Sequence, residues 1–171
     1  RSREEEEKAQ LLEAAGQAAA DVTRNLSVPI ILDKLVRSVV NILNADCACL
    51  HLISAQGADF FVAGEGTQKC AVLGRRGEKG LAEAIFSLGH IVRFKDLEVT
   101  AGPYKPLRPD ITSFFGAPVF SEGRVIGALC VGSSKKDITE ADEAAIKLLA
   151  AHAGVAVTNA RLHEEVVAMA E

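Results

Sequence analysis

The stretch from Ser113 to Asp142, SFFGAPVFSEGRVIGALCVGSSKKDITEAD, decides how the rest of the chain is read. Two apolar runs, 114–120 and 125–131, flank Ser121-Glu122-Gly123-Arg124. So short a polar break between two strand-forming runs predicts a tight antiparallel hairpin. A helix then begins at Thr139. Its hydroxyl can accept the backbone N–H of Asp142 while the Asp142 carboxylate reaches back, a capping box that also sets negative charge at the positive end of the helix dipole. Hairpin, turn and long helix are expected in that order.

Downstream, Ala145, Leu148, Leu149, His152, Val155, Ala156, Asn159, Leu162 and Val166 follow one helical stripe from about residue 140 past residue 165. A helix of that length projects beyond a compact domain. At the other end, residues 4–26 are also helical in pattern. Leu11, Ala15, Ala18 and Val22 draw a narrow apolar stripe on a charged cylinder, and an Ala-rich seam of this kind suits close pairing with a second helix. A homodimer is therefore expected, with Leu11, Ala15, Ala18, Val22, Val155, Leu162 and Val166 at its interface. A helix packed on its own domain is the plainer alternative for the first stripe.

Between these helices the chain alternates. Ser27 can cap a second helix with Pro29 in its first turn, where a missing N–H does no harm; Leu32, Leu35, Val36, Val39 and Leu43 line one face and Asn44 ends it. Residues 46–53 and 59–63 read as strands. Residues 64–80 read as loop or short strand, with Cys70 inside and Arg75-Arg76 close to Gly80; the arginines are better explained as a solvated loop than as an anion site. A short helix over 81–88 is stopped by Gly89, and a strand over 91–94 follows. In 97–111, Pro103, Pro106 and Pro109 surround Tyr104, the one tyrosine, and deny that segment both helix and ladder hydrogen bonds.

At 171 residues the chain suits one domain with helical extensions. A net charge of −4 and the run Glu4-Glu5-Glu6-Glu7 leave no basic face for nucleic acid. No apolar stretch approaches the roughly 20 residues that span a bilayer, so no membrane partner is expected. Four cysteines without a framework spacing fit reduced thiols and a cytoplasmic location. Because it opens on Arg1 and not on Met, the chain is expected to be a piece of something longer whose missing part carries the activity.

Cys47, Cys49 and His51 fall on one face of the 46–53 strand, a tempting metal row. Same-face side chains on a strand sit roughly 6.5–7 Å apart, so convergence on one ion needs bent geometry and a fourth ligand is not in view. Small buried thiols beside a hydrogen-bonded histidine are the better account, and no metal is expected.

The order of apolar strand, Pro118-Val119, turn, Val125-Ile126-Gly127-Ala128-Leu129, then Ile138-Thr139-Glu140-Ala141-Asp142 and helix resembles the C-terminal half of GAF domains, regulatory sensor modules related to PAS domains. Gly80-Leu81-Ala82, Gly89 and Ile91-Val92-Arg93-Phe94-Lys95-Asp96 extend the resemblance upstream; Leu149-Ala150-Ala151-His152-Ala153 and Asn159-Ala160-Arg161-Leu162 extend it downstream. It covers residues 27–163, with a linker helix over 1–26 and a helical extension over 164–171.

The resemblance implies an α+β fold: an antiparallel sheet of five to six strands, terminal helices on one face and a small-molecule pocket on the other, roofed by the proline-rich segment. Phe61, Leu81, Ile85, Phe94, Tyr104, Phe115 and Cys130 are the side chains expected there. It implies a non-catalytic sensor in a bacterial histidine kinase, cyclase, phosphatase or transcription activator. The covering segment lacks the Cys-His pair of bilin-binding members, which argues against a bilin. The Asn-Lys…Phe…Asp-Glu pattern of cyclic-nucleotide binders is missing, which weakens that ligand without removing it. No thiol lies between Cys70 and Cys130, so the nucleophile of the free methionine sulfoxide reductases is absent. Haem would have His51, His90, His152 or His163 as axial ligand, His90 first. Two rivals stay open: a structural dimer spacer without ligand, and a thiol redox switch drawing on Cys47, Cys49, Cys70 or Cys130.

Overall fold

The computed structural model describes residues 2–22, 28–54, 57–64, 85, 89, 91–95 and 111–170. Helix α1 spans Arg3–Val22 and α2 spans Val28–Leu43; strands β1 (Cys47–Ser54), β2 (Gly57–Gly64), β3 (Val92–Lys95), β4 (Ser113–Ser121) and β5 (Arg124–Ser133) follow, and α3 (Glu140–Ala170) closes the chain. The strands form an antiparallel sheet in the order β2-β1-β5-β4-β3. The expected strand near Cys70, the helix over 81–88 apart from Ile85, the Arg75-Arg76 cluster and the Pro103–Pro109 segment lie outside the described residues.

The β4–β5 hairpin turns in two residues, with Ser121 paired to Arg124. Both turn residues have positive φ, 51° at Glu122 and 79° at Gly123, the backbone of a type I′ turn whose twist matches that of the strands. Glycine takes that conformation freely; Glu122 takes it against the steric preference of an L-residue. Pro118 sits inside β4, yet β3 stops pairing at Gly116, so the missing N–H falls where that edge has no ladder partner.

Helix α3 starts on the capping box read from sequence. Asp142 N–H donates to Thr139 Oγ1 at 3.1 Å and Thr139 N–H donates to Asp142 Oδ2 at 2.9 Å. Lys136 Nζ lies 2.9 Å from the same carboxylate oxygen, so a nearly inaccessible Asp142 is buried with its charge answered. At the other end of the chain's helical pair, Asn44 (φ 52°) stops α2, and Ala45 N–H bonds back to the Val40 carbonyl at 3.2 Å in a Schellman closure.

The main core lies between one face of the sheet and the three helices. Helix α2 covers β1 and β2, α3 covers β4 and β5, and α1 packs on α2 and α3. Leu32, Leu35, Val36 and Val39 from α2 meet Leu50, Leu129 and Val131 from the sheet and Ile146, Leu149 and Ala153 from α3. Ala15 of α1 is fully buried in this core and Leu11 packs against it. This corrects the expectation for Ala15, which is spent on the chain's own helices, because a small residue lets α1 lie close to α2 and α3 without a second subunit. Ala18 is half-buried, and the Val22 side chain is outside the described residues.

Gly154 lets α3 approach the sheet. A Cβ there would collide with the carbonyl oxygen of Phe120, a backbone atom that cannot swing aside. Helix propensity alone predicts that Gly154→Ala stabilises by about 1 kcal/mol. The packing reverses the sign: Gly154→Ala is expected to destabilise by about 2–3 kcal/mol, whereas Gly123→Ala, open on all sides, loses only the left-handed backbone preference, about 1 kcal/mol. Urea midpoints of the two variants against the parent chain check both the sign and the order.

Candidate functional site

Strand alternation gives the sheet two chemically different faces. Register pairs Leu50 with Leu129, Ala117 with Leu129 and Phe115 with Val131, so these residues share the helix-covered face. The intervening residues pair as Cys49 with Cys130, Gly116 with Cys130, His51 with Ala128 and Cys47 with Gly132, and they share the opposite face.

On the helix side, Arg93 of the edge strand β3 is paired in register with Phe115 and reaches α3. Its guanidinium forms a two-pronged ion pair with Glu143, whose side chain is 6% exposed. The same guanidinium carbon stands 6.0 Å from the centroid of the Phe115 ring, the range of a cation–π contact. The fork of an arginine matches both carboxylate oxygens at once, so the pair fixes direction as well as distance between β3 and the first turn of α3.

Phe115 was expected at a ligand pocket; it belongs instead to the main core beneath Arg93 and α3. Its neighbour Phe114 takes the opposite face, because adjacent strand residues point to opposite sides. There Gly116 leaves a notch. A Cβ at this position would run into Ile85 Cδ1 and lie 3.0 Å from Phe114 Cζ and 3.1 Å from Cys130 Sγ. Ile85 and Cys130, both expected at the pocket, are thus brought together on the face opposite the helices, and Phe114 and Gly116 join them. Alternation from Ala117 and Val119 was the signal that could have chosen Phe114 over Phe115.

Phe61 is the register partner of Leu50 and Phe94 of Phe114, but their side chains, with Leu81, Tyr104, Cys70 and His90, lie outside the described residues. His51 is fully buried on the face opposite the helices, whereas His152 and His163 belong to α3. These three candidate axial ligands therefore do not share a site. Among the described residues no group of three His, Cys, Asp or Glu side chains is arranged to hold a metal ion.

A separate open groove of about 690 Å³ runs between the end of β4 and α3, lined by Ile91, Pro118, Phe120, Ala151, Val155 and Asn159 among others. None of the seven expected pocket residues is among its described lining. Ser121 and Thr158 hold its floor together through a 2.6 Å hydroxyl contact. Thr158 donates to the Gly154 carbonyl at 2.8 Å, so Ser121 is the donor between the two. No described helix is long and apolar enough to cross a membrane.

A family model described as GAF domain matches residues 27–157. Among solved structures, the GAF domain from a phosphoenolpyruvate-protein phosphotransferase of Coxiella burnetii is similar at a TM-score of 0.77 and 20% identity, covering 92% of this chain and 98% of that one. The GAF domain of a putative sensor histidine kinase from Pseudomonas syringae pv. tomato is similar at 0.70 and 15% identity, covering 98% and 97%. A free methionine-R-sulfoxide reductase from Neisseria meningitidis, solved in complex with its substrate, is similar at 0.70 and 17% identity, covering 91% and 93%. No sequence match is found among curated proteins.

The Arg93–Glu143 pair yields a test of what orients β3. Arg93→Met leaves a buried carboxylate without its fork and is expected to destabilise by about 1–3 kcal/mol. Adding Glu143→Leu removes the orphaned charge and should restore most of the loss, as a double-mutant cycle followed by urea denaturation would register.

Proposed function

The chain belongs to the GAF domain family, and from that premise we propose that it is a non-catalytic regulatory module of a cytoplasmic signalling protein. In this reading it holds a small ligand on the sheet face opposite the helices. It works as a homodimer whose α3 helices run side by side in parallel toward an output domain. The likeness to the GAF domain of a putative sensor histidine kinase supports the signalling context. The absence of any Cys between Cys70 and Cys130 supports a non-catalytic role, since a reductase of this fold would place its nucleophile there. Ile85 and Cys130, two of the side chains expected at the pocket, meet beside Gly116 on that face, which supports it as the ligand side.

One observation carries the dimer. On α3, Val155, Leu162, Val166 and Met169 remain 51%, 47%, 64% and 85% exposed. With the exposed Asn159 they fall at alternating spacings of four and three, the a and d positions of a heptad. Val155, Leu162 and Met169 occupy d; Asn159 and Val166 occupy a. A single asparagine at an a position favours two parallel strands in register, because only then can its amide meet its own copy across the seam. Helix α3 has 31 residues against 20 in α1, and the first turns of the two lie beside one another around Glu4, Glu5, Thr139 and Glu140, so the end of α3 runs on past α1. In this reading the interface is formed by Val155, Leu162 and Val166 together with Met169, while Ala15 is buried in the chain's own core.

Light scattering on the purified chain is expected to give twice the monomer mass. Leu162→Glu introduces a charge at the centre of the seam and should convert the chain to monomer with its urea midpoint little changed, since this side chain is outside the domain core. A Leu162→Glu variant that stays dimeric would remove the seam.

A further inference from the structure

We propose that Cys49 and Cys130 form a reversible dithiol site, converted by hydrogen peroxide to a disulfide that joins β1 and β5 at the middle of the sheet. The site goes beyond the ligand-relay reading and does not depend on it.

Sequence separates the two cysteines widely, but the β1–β5 register sets them directly opposite one another, on the face away from the helices. Directly opposed residues in antiparallel strands have Cα atoms about 4.5 or 5.5 Å apart, and both values fall within the roughly 4.4–6.8 Å that a disulfide accepts. Among the described cysteines no other pair is so placed. Cys47 is opposite Gly132, which has no side chain to bridge, and its thiol points at the Gly132 carbonyl oxygen 3.9 Å away. On the other side of Cys130 the register partner is Gly116. All three described cysteines are in the thiol form.

The notch at Gly116 gives the reduced form its place. Cys130 Sγ lies 3.1 Å from where a Cβ at Gly116 would stand, closer than the Cβ atoms of paired residues, about 4.5–5.5 Å apart. The sulfur therefore leans over β4, away from Cys49. Bridging requires a turn about χ1 toward β1, which withdraws the sulfur from the space it shares with Ile85 and Phe114. The bond would change the packing of the face opposite the helices while leaving the helix-side core in place.

In the chemical step, one thiolate attacks a peroxide oxygen, giving a sulfenic acid and, with a proton, water. The second thiolate attacks the sulfenic sulfur, forms the S–S bond and expels hydroxide, which leaves as a second water. Two thiols lose two electrons and two protons, and one peroxide is reduced to two waters. Burial slows the reaction of both thiols and leaves access only to a reagent as small as hydrogen peroxide. Paired strands hold their Cβ atoms slightly farther apart than a relaxed disulfide does, so the bond pulls β1 and β5 together, and such strain eases reduction by a dithiol.

The test treats the full chain with hydrogen peroxide, blocks remaining thiols by alkylation after denaturation, and maps tryptic peptides by mass. The expected product lacks two hydrogens and links peptide Ser38–Lys69 to Val125–Lys135, and dithiothreitol restores both. Because the first peptide holds both Cys47 and Cys49, the bridge should persist in Cys47→Ser and vanish in Cys49→Ala and Cys130→Ala. Linkage through Cys70, linkage surviving in Cys49→Ala, or full alkylation of all four cysteines after peroxide would each overturn the site. Where a variant fails to fold, fragmentation of the linked peptides from the parent chain by tandem mass spectrometry assigns the bridge to Cys49, and assignment to Cys47 overturns the site.

Discussion

Helix α3 and strand β4 approach one another until backbone meets backbone, and the helix-side architecture follows from that closeness. Gly154 opens the space, and the Phe120 carbonyl fills it. Once that contact is made, Ser121 and Thr158 fall into hydrogen-bonding range at one end of the interface. At the other end, Ile138 N–H reaches Ser113 Oγ at 3.0 Å, just before the Thr139–Asp142 cap. The first and last residues of β4 are thus each tied to α3 or its entry. A helix seated so closely brings Leu149 and Ala153 into one core with Leu129 and Val131 and leaves α1 and α2 to complete the layer.

The sheet separates two jobs by parity. Its helix-covered face is filled by large aliphatic side chains and Phe115, and it is closed off from any ligand by three helices. Its opposite face carries three cysteines, Ala128, Gly116 and Gly132, with Phe114 and His51 beside them. The dithiol site and the proposed ligand side are both consequences of this composition. The Arg93–Glu143 pair holds the edge of the sheet to the helix layer, so changes on the opposite face act on a sheet whose position is fixed.

Two stripes that look alike in sequence have opposite fates. Those of α1 and α3 both have heptad-like spacing, yet α1 lies on the domain and buries Ala15 completely, while the stripe of α3 ends in side chains that stay about half exposed or more. The difference is one of length and place. A 20-residue helix that starts level with α3 is used up in packing, and a 31-residue helix has turns to spare. Spacing states that a stripe wants a partner; only the position of the helix states which partner it has.

Much was legible in the residues themselves, because those features are local. The tight hairpin at residues 121–124, the Thr139–Asp142 box, the stop at Asn44, the strand periods and the order of the described elements depend on neighbours within a few positions, and they stand in the structure within a residue or two. The antiparallel mixed fold of the family follows from their order. Everything that joins distant segments was decided by the tertiary structure. Phe114 and Phe115 are adjacent and equally apolar, so only the side on which α3 lies selects which becomes core. Cys49 and Cys130 face each other only because β5 pairs with β1 in one register out of several. Registers and helix seating arise from packing summed over the whole core, a quantity that no single stretch of the chain contains.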